Sequence, residues 1–328
     1  MSKDFKNLCY NIAQHEAHHI PSPPHQKRRA AVAAILRWYN VDAKESTPVN
    51  SLDEFFTQDW VKKGEPQLLF MQRATRVGDR WSGHCAFPGG KNEPGETDED
   101  TVKREVLEEI GLDLNTPNFI RLGYLDSREL SSTINDKLLM ILVPFVFLQV
   151  VHETPTLHLQ ESEVADAQWI PLSFFLSNQV YPSRPVTEYL SVIQIRAKWT
   201  GWFTRLMLGS VTFPSVDLPC HSETRFRLWG LTMRMTRDLV EFSRKENLGF
   251  IKLTEKSPEY SRPDIGWLVK LIARMTLKSN TRAGWDKAYF RSIRKAVLIA
   301  ALLRLVFSGV TLSVISAKLL QWHKKRLV

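Results

Sequence analysis

Cysteine is scarce in this chain of 328 residues, and the few cysteines present argue against two kinds of structural site. Cys9, Cys85 and Cys220 are widely separated in sequence and form no Cys-x-x-Cys pair. Disulfide frameworks and structural zinc sites need a different cysteine pattern, so we expect neither. The N-terminal residues also lack the apolar segment of a secretory signal. Both observations favour an intracellular protein in a reducing compartment.

Acidic residues are fewer than basic ones, and this excess of positive charge favours anionic binding partners. The chain has 44 lysines and arginines against 35 aspartates and glutamates, a formal net charge of +9. Such an excess suggests a phosphorylated substrate, a membrane surface or nucleic acid as partner. No recognised nucleic-acid-binding motif accompanies the charge, so we expect no nucleic acid partner. The sequence makes no prediction of the oligomeric state.

The stretch from Phe87 to Leu112, FPGGKNEPGETDEDTVKREVLEEIGL, contains the densest group of chemically active side chains. It predicts a helix over about Glu99–Ile110, which has carboxylates near its first turn and ends at Gly111. Three glutamates at i, i+3 and i+4 share one face of this helix, namely Glu105, Glu108 and Glu109. Apolar residues that recur every four positions are predicted to pack inward, namely Val102, Val106 and Ile110.

A cluster of glutamates on a helix is also typical of a solvated surface. The surroundings favour a binding site here, because a Gly-rich turn precedes the helix and three carboxylates crowd one face. Crowded carboxylates repel one another, and a hard divalent cation bound through oxygen atoms removes that cost. The pattern therefore predicts a metal site on this face.

The spacing of the residues in this stretch resembles the Nudix box of the Nudix hydrolases. Five residues separate Gly90 from Glu96, and seven more lead to Arg104-Glu105-Val106. One residue then precedes Glu108-Glu109 and one more precedes Gly111-Leu112, so every fixed position of the box is filled. The resemblance implies a hydrolase that uses Mg²⁺ or Mn²⁺ as its cofactor.

The resemblance also implies a role for each residue of the box. Glu105 and Glu109 are the expected direct metal ligands, Glu108 binds the metal directly or through water, and the Gly90 carbonyl is a further ligand. Arg104 is expected to orient these carboxylates by ion pairing, with Glu96 as its partner. Family members differ in their general base, so several carboxylates are candidates: Glu105, Glu108, Glu161 and Glu163.

The fold class implied by the resemblance is α/β, a Nudix-type α/β/α sandwich with a mixed sheet and a helical C-terminal tail. We place a flexible lead-in at residues 1–26 and the Nudix domain at 27–245. Two insertions are expected within this domain, at about 41–65 and 178–204. A basic linker with one short helix at 265–277 is expected over 246–294, and an apolar helix over 295–328.

Two segments of the domain are ambiguous as strands. Residues 28–39 also fit a short amphipathic helix, and we favour a strand because the family opens with one at about this place. The segment 138–151 is almost wholly apolar, which predicts a central strand buried on both faces. Pro144 inside it predicts a bulge or an edge position.

The residues before the box resemble the motif of the coenzyme A diphosphatase branch. Leu68, Leu69, Arg73, Gly83 and the FPGG sequence match that motif, whereas His84 occupies the position of its Gln. The sequence WGLT at 229–232, which starts a predicted helix, also resembles the closing helix of the branch. We expect four side chains to contact the substrate: Arg73, Arg76, Arg80 and Phe87.

Ala296 to Ala317 is a long apolar run with Arg304 as its sole charge and basic clusters on both sides. Its length suits a bilayer core, which needs about 20 residues, so a C-terminal membrane anchor is expected. A central arginine costs about 2.5 to 3.5 kcal/mol of insertion free energy, which roughly a dozen Leu, Ile, Val and Phe residues offset. A helix that lies in the interface or packs on the domain is the alternative, because a polar stripe containing Arg304 and Lys318 follows one helix face.

The expected function is hydrolysis of a diphosphate bond in a small nucleoside diphosphate derivative, with coenzyme A or an acyl-CoA as the first candidate. Other substrates of the family are alternatives, namely ADP-ribose, NADH and oxidised nucleotides. A non-catalytic binding module of the same fold, tethered to a membrane, is a third alternative. Such modules usually lose carboxylates of the box, and this chain keeps them all.

Overall fold

An eight-stranded mixed sheet is the centre of the first of two units in this protein. The computed structural model describes residues 2–24, 28–76, 81–131, 137–189, 208–220, 225–256, 258–276 and 282–326. The first unit comprises residues 1–131, 138–186 and 213–257, and the second comprises 132–137, 187–212 and 258–328. The strands of the large sheet are β1 (Arg29–Tyr39), β2 (Glu65–Arg73), β3 (Cys85–Ala86), β4 (Gly89–Lys91), β5 (Phe119–Tyr124), β6 (Arg128–Ser131), β7 (Leu138–Gln149) and β8 (Val164–Pro171).

The first unit also contains six helices and a two-stranded sheet among its described residues. The helices are α1 (Ser2–Ala13), α2 (Leu52–Thr57), α3 (Asp98–Ile110), α4 (Leu172–Phe175), α5 (Gly230–Glu241) and α6 (Gly249–Thr254), with a 3₁₀ turn at Asp59–Lys62. The small sheet pairs β11 (Ser215–Asp217) with β12 (Arg227–Trp229). The second unit contains β9 (Val186–Tyr189), β10 (Ser210–Phe213), β13 (Glu259–Tyr260), α7 (Pro263–Thr276) and α8 (Arg282–Arg326).

β1 is a strand, as the sequence predicts, and it lies between β2 and β7 in the large sheet. It runs parallel to β7 and antiparallel to β2, which confirms the mixed sheet. β8 pairs with β2, while β5 and β6 pair with β7. Side chains of a strand alternate between the two faces of a sheet. The alternating residues of β1 accordingly enter two separate hydrophobic clusters.

One face of the sheet packs against α3 and the other against the remaining helices of the first unit. Ala31 and Ala33 of β1 join Val102, Val106 and Ile110 of α3 in one cluster. These three α3 side chains are fully buried, and burial stabilises each by about 1.5 to 3 kcal/mol. The second cluster contains the opposite face of β1 together with side chains of α1, α2, α4, α5 and α6. The α/β/α sandwich is therefore confirmed.

β7 is the predicted central strand, and Pro144 lies within it without breaking the sheet. β6 pairs with the first half of β7 up to Leu142, and β5 pairs with the second half from Phe145. Pro144 falls between these two partners, at the interruption between β5 and β6. Its carbonyl accepts a hydrogen bond of 2.8 Å from the nitrogen of Leu125. The proline therefore occupies a gap in the ladder, rather than an edge strand.

The prediction of a flexible lead-in is wrong for residues 2–13, which form α1. Phe5, Leu8, Cys9 and Ile12 are spaced along one helical face and are all buried in the larger cluster. The segment after α1 is also held in place, since the nitrogen of His18 donates to Asp126 at 2.9 Å. The proline and histidine content of residues 15–26 suggested a flexible segment, but the apolar face of α1 is buried against the domain.

The linker predicted over 246–294 contains more helix than expected. α6 lies in it, α7 occupies the place of the predicted short helix, and α8 begins at Arg282 rather than near residue 295. α7 and α8 pack through an apolar cluster that includes Ile265 and Val269 on one helix and Ile293 and Val297 on the other. The insertion predicted at 41–65 contains α2, whereas 190–207 of the second insertion lie outside the described residues.

Candidate active site

The box helix α3 is held at both ends by specific contacts, of which the capping box and the C-terminal glycine are local in sequence. Thr97 and Asp100 form a capping box, in which each side chain accepts a hydrogen bond of 3.1 Å from the other's backbone nitrogen. Asp98 accepts bonds of 2.8 and 2.7 Å from the guanidinium of Arg29 on β1. The helix ends at Gly111, where φ is 75°, a conformation that favours glycine. The predicted helix is therefore confirmed, with its start one residue earlier.

Arg104 lies at the centre of an ion-pair network on the face of α3 that carries the glutamates. Its Nε donates to Glu96 at 2.6 Å and its Nη1 to Glu108 at 2.9 Å. Nη1 also lies 3.2 Å from a carboxylate oxygen of Glu105, and Nη2 donates to the carbonyl of Lys91 at 3.2 Å. One guanidinium therefore links three carboxylates of the box to the backbone of β4.

Glu96 forms the side of this network in which negative charge is well compensated. The pKa of its carboxyl falls to about 2, first because Arg104 donates to it and next because the backbone nitrogen of Glu93 does. The hydroxyl of Thr101 donates a further hydrogen bond of 2.8 Å. Glu96 is therefore ionised and holds Arg104 in place, which fits a supporting role.

In contrast to Glu96, the carboxylates of Glu105 and Glu109 have negative charge that nearby groups compensate poorly. Glu109 is only 2% exposed, and burial raises its pKa to about 8, with the charges of Glu105 and Glu163 adding to the effect. Its carboxylate accepts a hydrogen bond of 2.7 Å from the nitrogen of Gly89, which opposes the rise. Burial also raises the pKa of Glu105, although the adjacent Arg104 lowers it.

The two glycines before the box let the backbone approach these carboxylates and β1 closely. A Cβ atom on Gly90 would lie 2.4 Å from the carboxyl carbon of Glu105. A Cβ atom on Gly89, where φ is 140°, would lie 2.2 Å from the carbonyl oxygen of Ala31. Any other residue at either position would displace a neighbour. The Gly-Gly pair therefore fixes the distance between the turn and the carboxylate face of α3.

The chemistry of these side chains fits a hard divalent cation. Within the part of the chain that the structure describes, no three His, Cys, Asp or Glu side chains converge as a ready-made metal cage. The groups on this face are carboxylate oxygens, which Mg²⁺ prefers, and burial with mutual repulsion raises the pKa of two of them. A cation next to Glu105 and Glu109 would compensate their charge. The ligand roles of Glu105, Glu108, Glu109 and the Gly90 carbonyl stay predictions.

The side chains predicted to contact the substrate lie in different surroundings, and not all of them are at the site. Arg73 lies near the site, because its charge lowers the pKa of Glu109. Arg76 is exposed and pairs with Glu163 at 3.0 Å. The prediction for Phe87 is wrong, because its ring is 1% exposed and stacks on Phe70 in the core, with 5.1 Å between centroids. Arg80 lies outside the described residues.

Glu163 is one of the candidate bases, and the structure brings it to the glutamate face. Its charge contributes to the raised pKa of both Glu105 and Glu109. The backbone holds it there, since the nitrogen of Ala74 donates to the Glu163 carbonyl at 2.7 Å where β2 meets β8. Glu161, the other distant candidate, is exposed. Sequence spacing could not distinguish these two carboxylates.

His84, where the chain departs from the diphosphatase motif, makes a contact that the sequence did not reveal. The His84 ring packs edge-on against Trp229, the first residue of WGLT, with 4.9 Å between centroids. The carbonyl of His84 also accepts a hydrogen bond of 3.0 Å from the nitrogen of Arg73. The two segments that resemble the diphosphatase branch are therefore in direct contact.

Comparison with known proteins agrees with this geometry. A profile of the NUDIX domain matches residues 60–190. The oxidized purine nucleoside triphosphate hydrolase of Mus musculus is 33% identical over 156 residues, which are 47% of this chain and 87% of that protein. The peroxisomal coenzyme A diphosphatase of Mus musculus is 29% identical over 179 residues, 52% of this chain and 67% of that protein.

A third relative is similar over a longer stretch. An uncharacterized protein of Schizosaccharomyces pombe is 38% identical over 202 residues, which are 60% of this chain. The aligned stretch covers 56% of the length of that protein.

Proposed function

This chain belongs to the Nudix hydrolase family, and we propose that it hydrolyses a diphosphate bond in a nucleoside diphosphate derivative with bound Mg²⁺ or Mn²⁺. The observation that carries the proposal is the placement of Glu105 and Glu109 against the Gly89-Gly90 turn. Both carboxyls have raised pKa values, and Glu109 is bonded to the turn itself. A divalent cation held there would neutralise phosphate charge and lower the pKa of a bound water.

The residues around this face would position the substrate and the attacking water. Arg104 fixes the direction of the Glu105 and Glu108 carboxylates through its hydrogen bonds. Arg73 and Arg76 supply positive charge near Glu109 and Glu163, where a diphosphate can bind. Glu163 is the residue that we propose as proton acceptor, because it is near both glutamates and is held by the backbone of β2.

The metal-dependent reaction is tested with Glu109→Gln, which keeps the size of the side chain and removes its charge. The variant should remain folded and lose orders of magnitude in kcat, because a ligand charge is missing. Glu161→Gln, at an exposed carboxylate of the same loop as Glu163, is the matched control and should keep wild-type rates. Wild-type activity of Glu109→Gln, or full activity in excess chelator, would contradict the mechanism.

Glu163→Gln tests the proposed proton acceptor separately. A base that accepts the proton of water should lower kcat strongly when removed, while KM changes little, and the acidic limb of the pH–rate profile should shift or disappear. A variant with an unchanged pH–rate profile would assign Glu163 to pairing with Arg76 alone and leave the base to another carboxylate.

The substrate that we propose first is coenzyme A or an acyl-CoA. Two observations favour it: the upstream motif with FPGG, and the contact between its His84 position and the WGLT segment. The similarity to the coenzyme A diphosphatase of Mus musculus agrees with this choice. An oxidised purine nucleotide is the second candidate, because the relative with that activity in its name is 33% identical.

A substrate panel distinguishes these candidates. Coenzyme A, acetyl-CoA, ADP-ribose, NADH, a dinucleoside polyphosphate and an oxidised dGTP are compared by kcat/KM with magnesium and with manganese. Coenzyme A and its esters should give the highest values. Strong turnover of the oxidised nucleotide without turnover of coenzyme A would contradict the first choice and support the second.

We also propose that α8 attaches the chain to a membrane. It is long and apolar enough to cross a bilayer by length and composition. From Leu302 to Leu319, every side chain whose burial is described is exposed apart from Arg304. Ala296, Val297 and Ala300 are instead buried against α7, so the lipid-facing stretch is shifted from 296–317 to about 302–322. This stretch is roughly 30 Å of helix, which matches a bilayer core.

The shift changes the position of the charge that opposed insertion. Arg304 pairs with Asp264 of α7 and lies at the start of the exposed stretch, where a long cationic side chain can reach the interface. Lys318 lies near the other end. Alkaline carbonate extraction of membranes from expressing cells tests the anchor. Recovery in the pellet supports insertion, and release into the supernatant would show that α8 is peripheral.

A further inference from the structure

α7 has two apolar faces, and among the described residues one of them is buried. Ile265, Val269 and Ala273 are buried in the cluster shared with α8. A second set of large apolar side chains, spaced by four residues, forms an exposed stripe: Trp267, Leu271 and Met275, at 64%, 41% and 69% exposure. Residues four apart lie on one face of a helix. The stripe therefore points away from the packed cluster.

The charges of α7 show which kind of surface the stripe fits. Lys270 and Arg274 are exposed and each immediately precedes a residue of the stripe, so cationic groups border its apolar side chains. The sole acidic residue of α7, Asp264, is paired with Arg304 of α8. A helix with an apolar stripe bordered by basic residues is typical of binding to the interface of an anionic bilayer. Tryptophan is also enriched at the headgroup level.

One ion pair between α7 and α8 fixes which end of α7 lies nearest the exposed stretch of α8. The Asp264–Arg304 pair joins the first turn of α7 to the start of the exposed stretch of α8. If α8 enters the bilayer at about Leu302, the first turn of α7 lies at the headgroups. Trp267, which is three residues further along α7, is the residue of the stripe nearest to this level.

We propose that α7 lies in the headgroup region of an anionic bilayer, with Trp267, Leu271 and Met275 immersed and with Lys270 and Arg274 at the lipid phosphates. The inference rests on the proposed attachment through α8 and adds a second lipid-binding element with a preference for anionic lipid. It commits to a lipid surface as the occupant of the stripe, rather than to a second copy of the chain.

The test uses a polarity-sensitive fluorophore on the full-length chain, reconstituted into phosphatidylcholine vesicles with or without phosphatidylserine. The fluorophore is attached at Trp267→Cys in a Cys220→Ser background, since Cys9 and Cys85 are buried. The matched control carries it at Tyr181→Cys, an aromatic position of the first unit that is 79% exposed. Spin-labelled lipids should quench the fluorophore at 267 and leave the one at 181 unaffected.

Substitution of the two cations Lys270 and Arg274 gives a second readout. Removing two cations near an anionic surface should shift the equilibrium between immersed and lifted α7 by roughly 30-fold. Lys270→Gln combined with Arg274→Gln should therefore lower quenching at 267 in vesicles with phosphatidylserine to the level in phosphatidylcholine alone. Equal quenching of the charge variant and the parent in both kinds of vesicle would overturn the role of these cations.

The remaining outcomes separate this inference from the anchor on which it rests. A chain that stays in the carbonate pellet while the fluorophore at 267 behaves like that at 181 overturns the inference and leaves the anchor standing. A chain released by carbonate whose fluorophore at 267 is quenched supports lipid binding by α7 and contradicts a spanning α8. Concentration-dependent shielding at 267 in detergent without lipid would identify a second copy as the occupant and overturn the inference.

Discussion

Glu109 should make the metal-free protein less stable as the pH rises, and Glu109→Gln should abolish this effect. The pKa of the Glu109 carboxyl is about 8 in the folded chain, against an ordinary value of 4.5, because burial disfavours its charged form. A carboxyl whose pKa is raised by folding contributes its full stability below the unfolded value. The contribution is lost progressively between about 4.5 and 8 as the group is forced to ionise.

The size of the effect follows from the width of this window. Within the window each pH unit lowers the free energy of unfolding by about 1.4 kcal/mol, and this slope falls to half near the folded pKa. Roughly 2 kcal/mol is therefore lost between pH 6 and pH 8. Gln has no charge to force into the site and can still accept the 2.7 Å bond from the nitrogen of Gly89. The difference between variant and wild type therefore isolates this one group from the other titrations of the chain.

The assay is equilibrium urea unfolding of the full-length chain in a nonionic detergent with excess chelator, followed by tryptophan fluorescence between pH 6 and pH 8. The variant should gain about 2 kcal/mol over wild type across this interval, and Glu161→Gln should run parallel to wild type. Added magnesium should stabilise wild type more at pH 8 than at pH 6, because binding requires the ionised carboxylate. Parallel curves for wild type and Glu109→Gln would refute the assignment of a buried, uncompensated carboxylate.

Three further substitutions test other parts of the argument. Gly90→Ala should lower kcat by at least about tenfold, because a Cβ atom 2.4 Å from the Glu105 carboxyl carbon must displace that carboxylate. Circular dichroism should show an intact fold, and wild-type activity would contradict the contact. Arg104→Met should destabilise the metal-free protein by about 2 kcal/mol, because Glu96 and Glu108 lose a charged partner. Urea unfolding measures this loss, and an unchanged midpoint would contradict it. Ile12→Ala should cost about 2 to 5 kcal/mol if α1 is part of the core, as its burial indicates. Lys3→Ala, at an exposed position of the same helix, is the control. Equal unfolding midpoints for the two variants would show that residues 2–13 are a flexible lead-in.

The parts of the fold that the sequence predicts correctly are those encoded by neighbouring residues. The bounds of α3 follow from carboxylates in its first turn and a glycine at 111, both of which act within a few residues. The pairing of Arg104 with Glu96 is implied by the resemblance to the Nudix box. The burial of Val102, Val106 and Ile110 follows from helical periodicity. These features depend little on the rest of the chain.

The errors concern residues whose positions depend on distant parts of the chain. Phe87 lies in a short segment between β3 and β4, and nothing local determines that its ring turns to Phe70. α1 is buried only because the sheet and α5 offer it an apolar surface. Glu163 reaches the glutamate face because β8 pairs with β2 nearly a hundred residues earlier in the chain. Tertiary contacts of this kind override local patterns.

The carboxylates of the box differ in how the protein compensates them, and this difference separates their roles. Arg104 and backbone donors hold the charge on Glu96, whose pKa falls to about 2, so this carboxylate needs nothing from outside the chain. Glu109 is buried with one backbone donor, and its pKa rises to about 8, so its charge is costly until another positive group arrives. Glu105 lies between these cases, since it touches Arg104 and still has a raised pKa. Along α3 the compensation of negative charge therefore falls from Glu96, which is paired with Arg104, to Glu109, whose pKa is raised. A cation that binds next to Glu109 gains the most electrostatic free energy, and the Gly89-Gly90 turn borders this carboxylate.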